Sequence, residues 1–242
     1  MRRKNAKISN AVIRRLPRYR RYLIELQKKG VEKISSKEFS SLIGYTASQI
    51  RQDLNNFGDF GQQGYGYSVD GLYNEISAIL GLDKEYEMVL IGAGNLGQAI
   101  SKYTIHIQQG FNIVAAFEVN PDLIGKDVEG IPILDYEDLV DYVEKNDIDI
   151  GIICVNQGNA QEVADRLCFA GVKGIWNYSL VDLEVPGRVA LESVHLSDTL
   201  HSLAYHMNVK RKEAEEKARE AEEALEKEEK TKAAPAGGQA QA

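Results

Sequence analysis

The sequence predicts an α/β protein in two parts, a small helical unit closed by a hairpin and then a parallel sheet wrapped by helices. Three observations carry that prediction. Two capped, glycine-stopped helices stand within residues 35 to 58. Apolar strands alternate with helical stretches from Glu87 onward. Between the first of those strands and its helix lies VLIGAGNLGQAI, residues 89 to 100, whose Gly-x-Gly-x-x-Gly core brings a backbone close to a pyrophosphate.

The 242 residues, 43% hydrophobic, suffice for two small cores. Charge divides them. Residues 1 to 83 carry 14 Lys+Arg against 8 Asp+Glu, whereas the whole chain has a formal net charge of −7. Within residues 1 to 30 there are 11 basic side chains and one acidic one, a concentration suited to a polyanion such as nucleic acid. No stretch reaches 18 uninterrupted apolar residues, and no apolar signal region follows the basic start, so a cytoplasmic protein without a membrane span is expected. Cys154 and Cys168 lie far apart without ligand-spaced neighbours and read as core residues, leaving no metal site.

In the first part, assigned to residues 1–83, Ser35 with Glu38 and Thr46 with Gln49 match the capping box, and Gly44 and Gly58 close the two helices. Only GYT separates them, the short connection of a helix-turn-helix. On the second helix Ile50, Leu54 and Phe57 share one face. Ser48, Gln49, Arg51, Gln52, Asn55 and Asn56 occupy the others; Arg, Asn and Gln reach base edges in a major groove, while Asp53 is expected to point away. GDFGQQGYGYS then reads as a tight hairpin carrying Gln62, Gln63 and Tyr65, so the unit is a winged helix. A helix over residues 70 to 81, opened by Asp70 and closed by Gly81, completes it before a boundary near Leu82 to Tyr86.

The second part, residues 84–195, reads as a Rossmann-type doubly wound sheet: EMVLI, the fingerprint helix to about Gln109, FNIVAAFEV, a helix near 135 to 145, DIGIICV, a helix near 160 to 170, and GIWNY. Gly92, Ala93, Gly94, Asn95, Leu96 and Gly97 form the phosphate loop. Glu118 ends the second strand 21 residues after Gly97, where such folds place the acid that binds the adenosine ribose, which favours NADH and NAD⁺ over their phosphorylated forms. S-adenosylmethionine and CoA are the other ligands of such a loop. Leu196, Leu200, Leu203 and Met207 then make an apolar helical stripe over 196–208, suited to a partner or to its own domain. Residues 209–242 hold 8 basic and 9 acidic residues and almost no large apolar ones, and read as an exposed helix fading into disorder.

A dehydrogenase would need a placed acid or base beside the nicotinamide. His106 lies at the fingerprint helix, and His195, His201 and His206 lie at the last one, none of them in a substrate domain. Tyr103, Val155 and Tyr178 read as walls of a cofactor pocket without a carboxylate, an environment that prefers the neutral reduced ring. The residues therefore point to a sensor and not to an enzyme. The alternatives are a nicotinamide-dependent oxidoreductase with an accessory basic domain and a CoA-binding module.

SSKEF…TASQIRQDLNNFGDFGQQGYGYSV, LIGAGNLGQAI and GVKGIWN together resemble the redox-sensing transcriptional repressor Rex family over about residues 8 to 208. The resemblance implies a homodimer that holds a palindromic operator when NADH is scarce and leaves it when NADH rises. It also implies that Arg51 and its neighbours enter the major groove, that the wing reaches the minor groove, that Tyr103 and Tyr178 lie near the nicotinamide, and that the last helix is exchanged between subunits. This sequence departs from many relatives at Gln52, Gln62 and Gln63, where they carry cations, and at His195, where they carry an Asp paired with the residue matching Arg21.

Overall fold

The fold is that of a computed structural model, which describes residues 8–57, 61–62, 66–107 and 110–233. The first unit begins with two helices, α1 (Asn10–Ile13) and α2 (Leu16–Lys28). A short strand β1 (Lys33–Ile34) leads to α3 (Ser36–Ile43) and α4 (Ala47–Asn55), then β2 (Gly61–Gln62), β3 (Gly66–Ser68) and α5 (Val69–Ile79). β1, β3 and β2 form a three-stranded antiparallel sheet, so the wing has one strand more than the hairpin read from sequence. Leu16, Tyr19, Leu23, Phe39, Ile43, Ile50 and Ile76 are buried at its centre.

Local chemistry explains the element ends. Ser35 makes both halves of its capping box, and Gly44 ends α3 at φ 74°, a left-handed turn open to glycine. Thr46 makes only half, accepting from the Gln49 backbone N–H, because the Gln49 side chain turns elsewhere. α5 starts slightly earlier than its sequence suggests: Ser68, not Asp70, is the cap, since its hydroxyl accepts from the Gly71 N–H. Gly58, expected to stop α4, falls outside the described residues, and α4 ends at Asn55.

The second unit contains β4 (Tyr86–Ile91), α6 (Asn95–Ile107), β5 (Phe111–Glu118), β6 (Asp127–Val128), β7 (Ile131–Asp135), α7 (Leu139–Lys145), β8 (Ile150–Ile153), α8 (Ala160–Ala170), β9 (Gly174–Asn177), β10 (Ala190–Ser193) and α9 (Leu196–Ala233). The strand order is β10-β9-β8-β4-β5-β7-β6, parallel throughout except that β6 folds back on β7. Leaving out β6, this is the 3-2-1-4-5-6 order of a dinucleotide-binding sheet, with its reversal between β4 and β8. The β6–β7 hairpin carries no alternating pattern long enough to be read from sequence.

The apolar strands predict a sheet covered on both faces, but among the described residues one face is covered only in part. Val89, Ile91 and Ile153 face the core under α7 and α8, while Met88, Leu90 and Ile152 belong to a second cluster on the α6 side. Beyond α6 that side stays open among the described residues, leaving an apolar groove of about 490 Å³ bounded by Met88, Phe111, Ile150, Trp176 and Leu191. The boundary drawn at residue 208 is also crossed by one uninterrupted helix. Charged residues with high helix propensity and i,i+4 pairs, Arg211–Glu215 and Arg219–Glu223, carry α9 on without a core. Residues 234–242 of the tail lie outside the described residues.

Candidate dinucleotide site and DNA-facing helix

The crevice at the strand-order reversal is built by backbone. Gly92 follows β4 at φ 97°, and a Cβ there would sit 2.7 Å from the Cys154 carbonyl oxygen beyond β8. Ala93 is buried, whereas Gly94, Asn95 and Leu96 are exposed at the start of α6, whose free N–H groups suit an anion. A Cβ on Gly94 would meet nothing within 4 Å, while one on Gly97 would collide with the Gly92 carbonyl oxygen. The loop is thus closed from below by Gly97 and left open above Gly94, as a pyrophosphate cradle requires.

Glu118 Oε2 accepts from the Ala93 N–H at 2.9 Å, and Oε1 accepts from the N–H groups of Val119 and Asn120 at 2.8 and 3.2 Å. Its carboxylate therefore ties the end of β5 to the glycine loop. Beside it lies a cavity of about 270 Å³ lined by Ile91, Val119, Tyr136, Asn159, Glu162 and Val163. Arg166 braces its far wall, its guanidinium 4.3 Å from the Tyr136 ring centre and 3.8 Å from Glu137. Sequence reasoning misses this wall, since Tyr136 and Asn159 sit in single 3-10 turns that no motif marks.

On the other side of the reversal, Val155 follows Cys154, and the Tyr178 N–H donates to the Ile153 carbonyl at 2.9 Å. Burial pushes the Tyr178 hydroxyl up to about 12, with lesser contributions from Cys154 and Tyr103. Tyr103 itself is 62% exposed. Asn177, fully buried, organises the loop after β9 by donating to Val181 O and Ser193 Oγ while accepting from Ser179. Burial also pushes the Cys154 thiol up to about 12. Since the thiolate is the reactive form, Cys154 should resist iodoacetamide at about pH 7.5 on the folded protein and react only on denaturation, as mass spectrometry would reveal. Rapid native alkylation would contradict the burial of this end of the crevice.

In the first unit, Ser48, Arg51, Gln52 and Asn55 are exposed on α4, opposite the buried Ile50 and Leu54. Arg51 Nη1 donates to Ser36 Oγ at 2.8 Å. Gln49 differs from the expected outward donor, because its amide donates to Asp53 Oδ1 at 2.8 Å. Asp53 points away, fully buried: Arg15 donates to both its oxygens at 2.6 and 2.7 Å, and the Tyr19 hydroxyl adds a third bond at 2.6 Å. α4 is bolted to the start of α2 by a charge-assisted network. Of the wing residues, Gln62 lies in β2, while Gln63 and Tyr65 lie outside the described residues. His195 Nε2 stands 3.7 Å from Asp182, and the Arg21 guanidinium lies 5.8 Å from the Tyr22 ring centre.

Among the described residues, no group of three or more His, Cys, Asp or Glu could hold a metal ion, and no helix is long and apolar enough to cross a membrane.

A winged helix with an outward second helix, joined to a Rossmann sheet with an open phosphate cradle, defines a nucleotide-responsive DNA-binding regulator. Comparison with known proteins gives the family. Residues 7–55 match a family described as "Putative DNA-binding protein N-terminus", and residues 83–181 match one described as "CoA binding domain". The redox-sensing transcriptional repressor Rex of Thermoanaerobacter pseudethanolicus is 57% identical over 205 residues, 85% of this chain and 92% of that protein. Rex of Clostridium botulinum strain Hall is 58% identical, covering 85% of this chain and 98% of that protein. A crystal structure of RSP, a Rex-family repressor, in complex with β-NAD⁺ and operator DNA is 52% identical with a TM-score of 0.80, over 95% of this chain and 100% of that one. RSP in complex with β-NADH gives a TM-score of 0.79 at the same identity, over 86% and 97%. The chain belongs to the Rex family of redox-sensing transcriptional repressors.

Proposed function

We propose that this protein is a cytoplasmic repressor that binds a palindromic operator as a homodimer and is released from it by NADH. The observation that carries the reading is one chain holding both an outward α4 and a glycine loop left open at Gly94, with Glu118 tied to that loop at the end of β5. Relatives supply the ligands, since RSP has been crystallised with β-NADH and with β-NAD⁺ and operator DNA. The dinucleotide would lie with its pyrophosphate on Gly92 to Gly97, its adenosine in the cavity beside Glu118 and Val119, and its nicotinamide toward Tyr103, Val155 and Tyr178. With their hydroxyl and thiol pushed up to about 12, Tyr178 and Cys154 stay uncharged at neutral pH, an environment that favours the uncharged reduced ring. Ser48, Arg51, Gln52 and Asn55 would face the operator's major groove, and Gln62, Gln63 and Tyr65 the minor groove.

Two apolar surfaces support the homodimer. Leu196, Leu200, Leu203 and Met207 on α9 are each more than half exposed, and the groove over Met88, Phe111 and Trp176 has no helix on it among the described residues. Seating one protomer's α9 in its partner's groove would bury both. The family of repressors gives no reason to seek a reaction at the nucleotide.

Binding of NADH and operator must be reciprocally coupled if NADH is the release signal. Titrating NADH by nicotinamide fluorescence, with and without a cognate duplex selected from random DNA, should give weaker NADH binding on saturating operator, by the factor that NADH weakens operator. Equal NADH affinity in both titrations would leave a protein with two sites and no switch. Consumption of NADH with a small substrate would restore the oxidoreductase reading.

A further inference from the structure

Arg51 is the one cation in α4, and an exposed arginine is among the side chains with the most rotamer freedom to lose when it binds anything. Here part of that freedom is already gone. Arg51 Nη1 donates to the Ser36 hydroxyl oxygen at 2.8 Å, a bond that runs 15 positions back along the chain to the first residue of α3. The same charge is felt in the wing, where it opposes the rise that burial gives the half-buried Tyr67 hydroxyl on β3.

Ser36 is not needed for the helix it begins. The cap of α3 is Ser35, whose hydroxyl accepts from the Glu38 N–H while its own N–H donates to the Glu38 carboxylate. Among the described residues, the Ser36 side chain has no hydrogen-bond partner other than Arg51, and Arg51 Nε and Nη2 have none at all. That pattern leaves a particular edge of the guanidinium free. Nη1 lies on the Cδ side of the group, so holding it leaves the opposite fork, Nε with Nη2, intact as two parallel donors. In a major groove, guanine presents two neighbouring acceptors, O6 and N7, whereas adenine offers one acceptor beside a donor.

We propose that Ser36 is a positioning residue for operator recognition, holding Arg51 by Nη1 so that its Nε–Nη2 fork is left to pair with a guanine. This rests on the operator-binding reading above; it adds the base that Arg51 reads and the residue, on a different helix, that aligns it. Because the guanidinium is held before DNA arrives, less ordering remains to be done on binding. The benefit is realised only where the fork meets two acceptors, so Ser36 raises discrimination between sequences and not the general affinity for DNA.

The test uses the full chain as wild type, Ser36→Ala, Ser36→Thr, Arg51→Ala and the double variant Ser36→Ala with Arg51→Ala. Binding is measured by anisotropy on the operator selected from random DNA, on that operator with each G·C pair changed in turn to A·T, and on a scrambled duplex. In the wild type, one G·C pair in each half-site should be worth about tenfold or more, and Arg51→Ala should abolish that preference. Ser36→Ala should lose about threefold to tenfold of it per half-site, the cost of ordering one long side chain on binding. Its affinity for the scrambled duplex, its NADH affinity and its melting temperature should match the wild type, since Ser35 still caps α3. Ser36→Thr, which keeps the hydroxyl, should restore the preference, and Ser36→Ala should change nothing further once Arg51 is Ala. The proposal is overturned if Ser36→Ala keeps the wild-type preference at every base pair, if it weakens all duplexes equally, or if its effect persists without Arg51. A wild-type protein that binds neither the selected nor the scrambled duplex would instead overturn the operator-binding reading itself.

Discussion

Replacing Asp53 with Ala should destabilise the winged helix by about 3–5 kcal/mol, the cost of breaking a buried ion pair by removing one partner. The carboxylate is fully buried and accepts four hydrogen bonds, two from Arg15 and one each from Tyr19 and Gln49. Deleting it leaves the Tyr19 hydroxyl and the Gln49 amide without an acceptor and the half-sheltered Arg15 without a counter-charge. Urea unfolding followed by far-UV circular dichroism should show the first transition shifted to lower denaturant, and operator affinity should drop because α4 loses its bolt to α2. A variant that unfolds with wild-type stability would mean the network carries no net weight.

The same network has a pH signature. Burial alone would raise the Asp53 carboxyl, but the bonds from Arg15, Tyr19 and Gln49 outweigh it and hold the group below the usual carboxylate range. A depressed folded value means that its stabilisation is present above the ordinary unfolded value and is lost as pH falls through the folded one. Removing the other partner, by Arg15→Ala, leaves burial opposed only by Tyr19 and Gln49, so the folded carboxyl should rise. That variant should therefore gain stability as pH is lowered from about 7 toward about 5, where the wild type changes little.

Much of this molecule can be read from local sequence because its signals are local. Ser35 and Glu38, the loop from Gly92 to Gly97, and Glu118 at the end of β5 act within a few residues of their own positions or at a fixed spacing. The residues that escape notice act across the chain. The sequence marks Asp53 as turned from DNA, but its partner Arg15 lies 38 positions earlier, and nothing in an arginine-rich helix marks one arginine as an internal anchor. Gln49 reads as a base reader because helix periodicity puts it on the polar side; only the packing of α2 against α4 turns it inward. The cavity wall of Tyr136, Asn159 and Arg166 assembles from three segments that the parallel sheet brings to one edge. The open groove over Trp176 is invisible for a related reason: an apolar strand reads as covered, whether the covering helix comes from its own chain or from a partner.

Two glycines three residues apart should give opposite results when substituted. At Gly97 a Cβ would collide with the Gly92 carbonyl oxygen and sit 3.0 Å from Leu90 Cδ2, so α6 could not pack on the turn that leaves β4. Both obstructing groups are fixed by the sheet, since the Gly92 N–H donates to the Phe117 carbonyl at 2.9 Å. Gly97→Ala should therefore cost about 3 kcal/mol, the upper end for overpacking a core, and lower the melting temperature of the second unit. At Gly94 a Cβ would meet nothing within 4 Å, and φ is not in the left-handed region. Gly94→Val should change stability by no more than about 1 kcal/mol, an exposed position at a helix start. Its side chain would instead fill the space the protein leaves for a pyrophosphate, so NADH affinity should fall at least a hundredfold, about 2.7 kcal/mol. Operator binding should persist and no longer respond to NADH. Differential scanning calorimetry separates the first effect, and fluorescence titration with operator release separates the second. If Gly94→Val protein still lets go of operator when NADH is added, the ligand binds elsewhere; if Gly97→Ala melts with the wild type, the contact between α6 and the Gly92 turn is looser than these distances require.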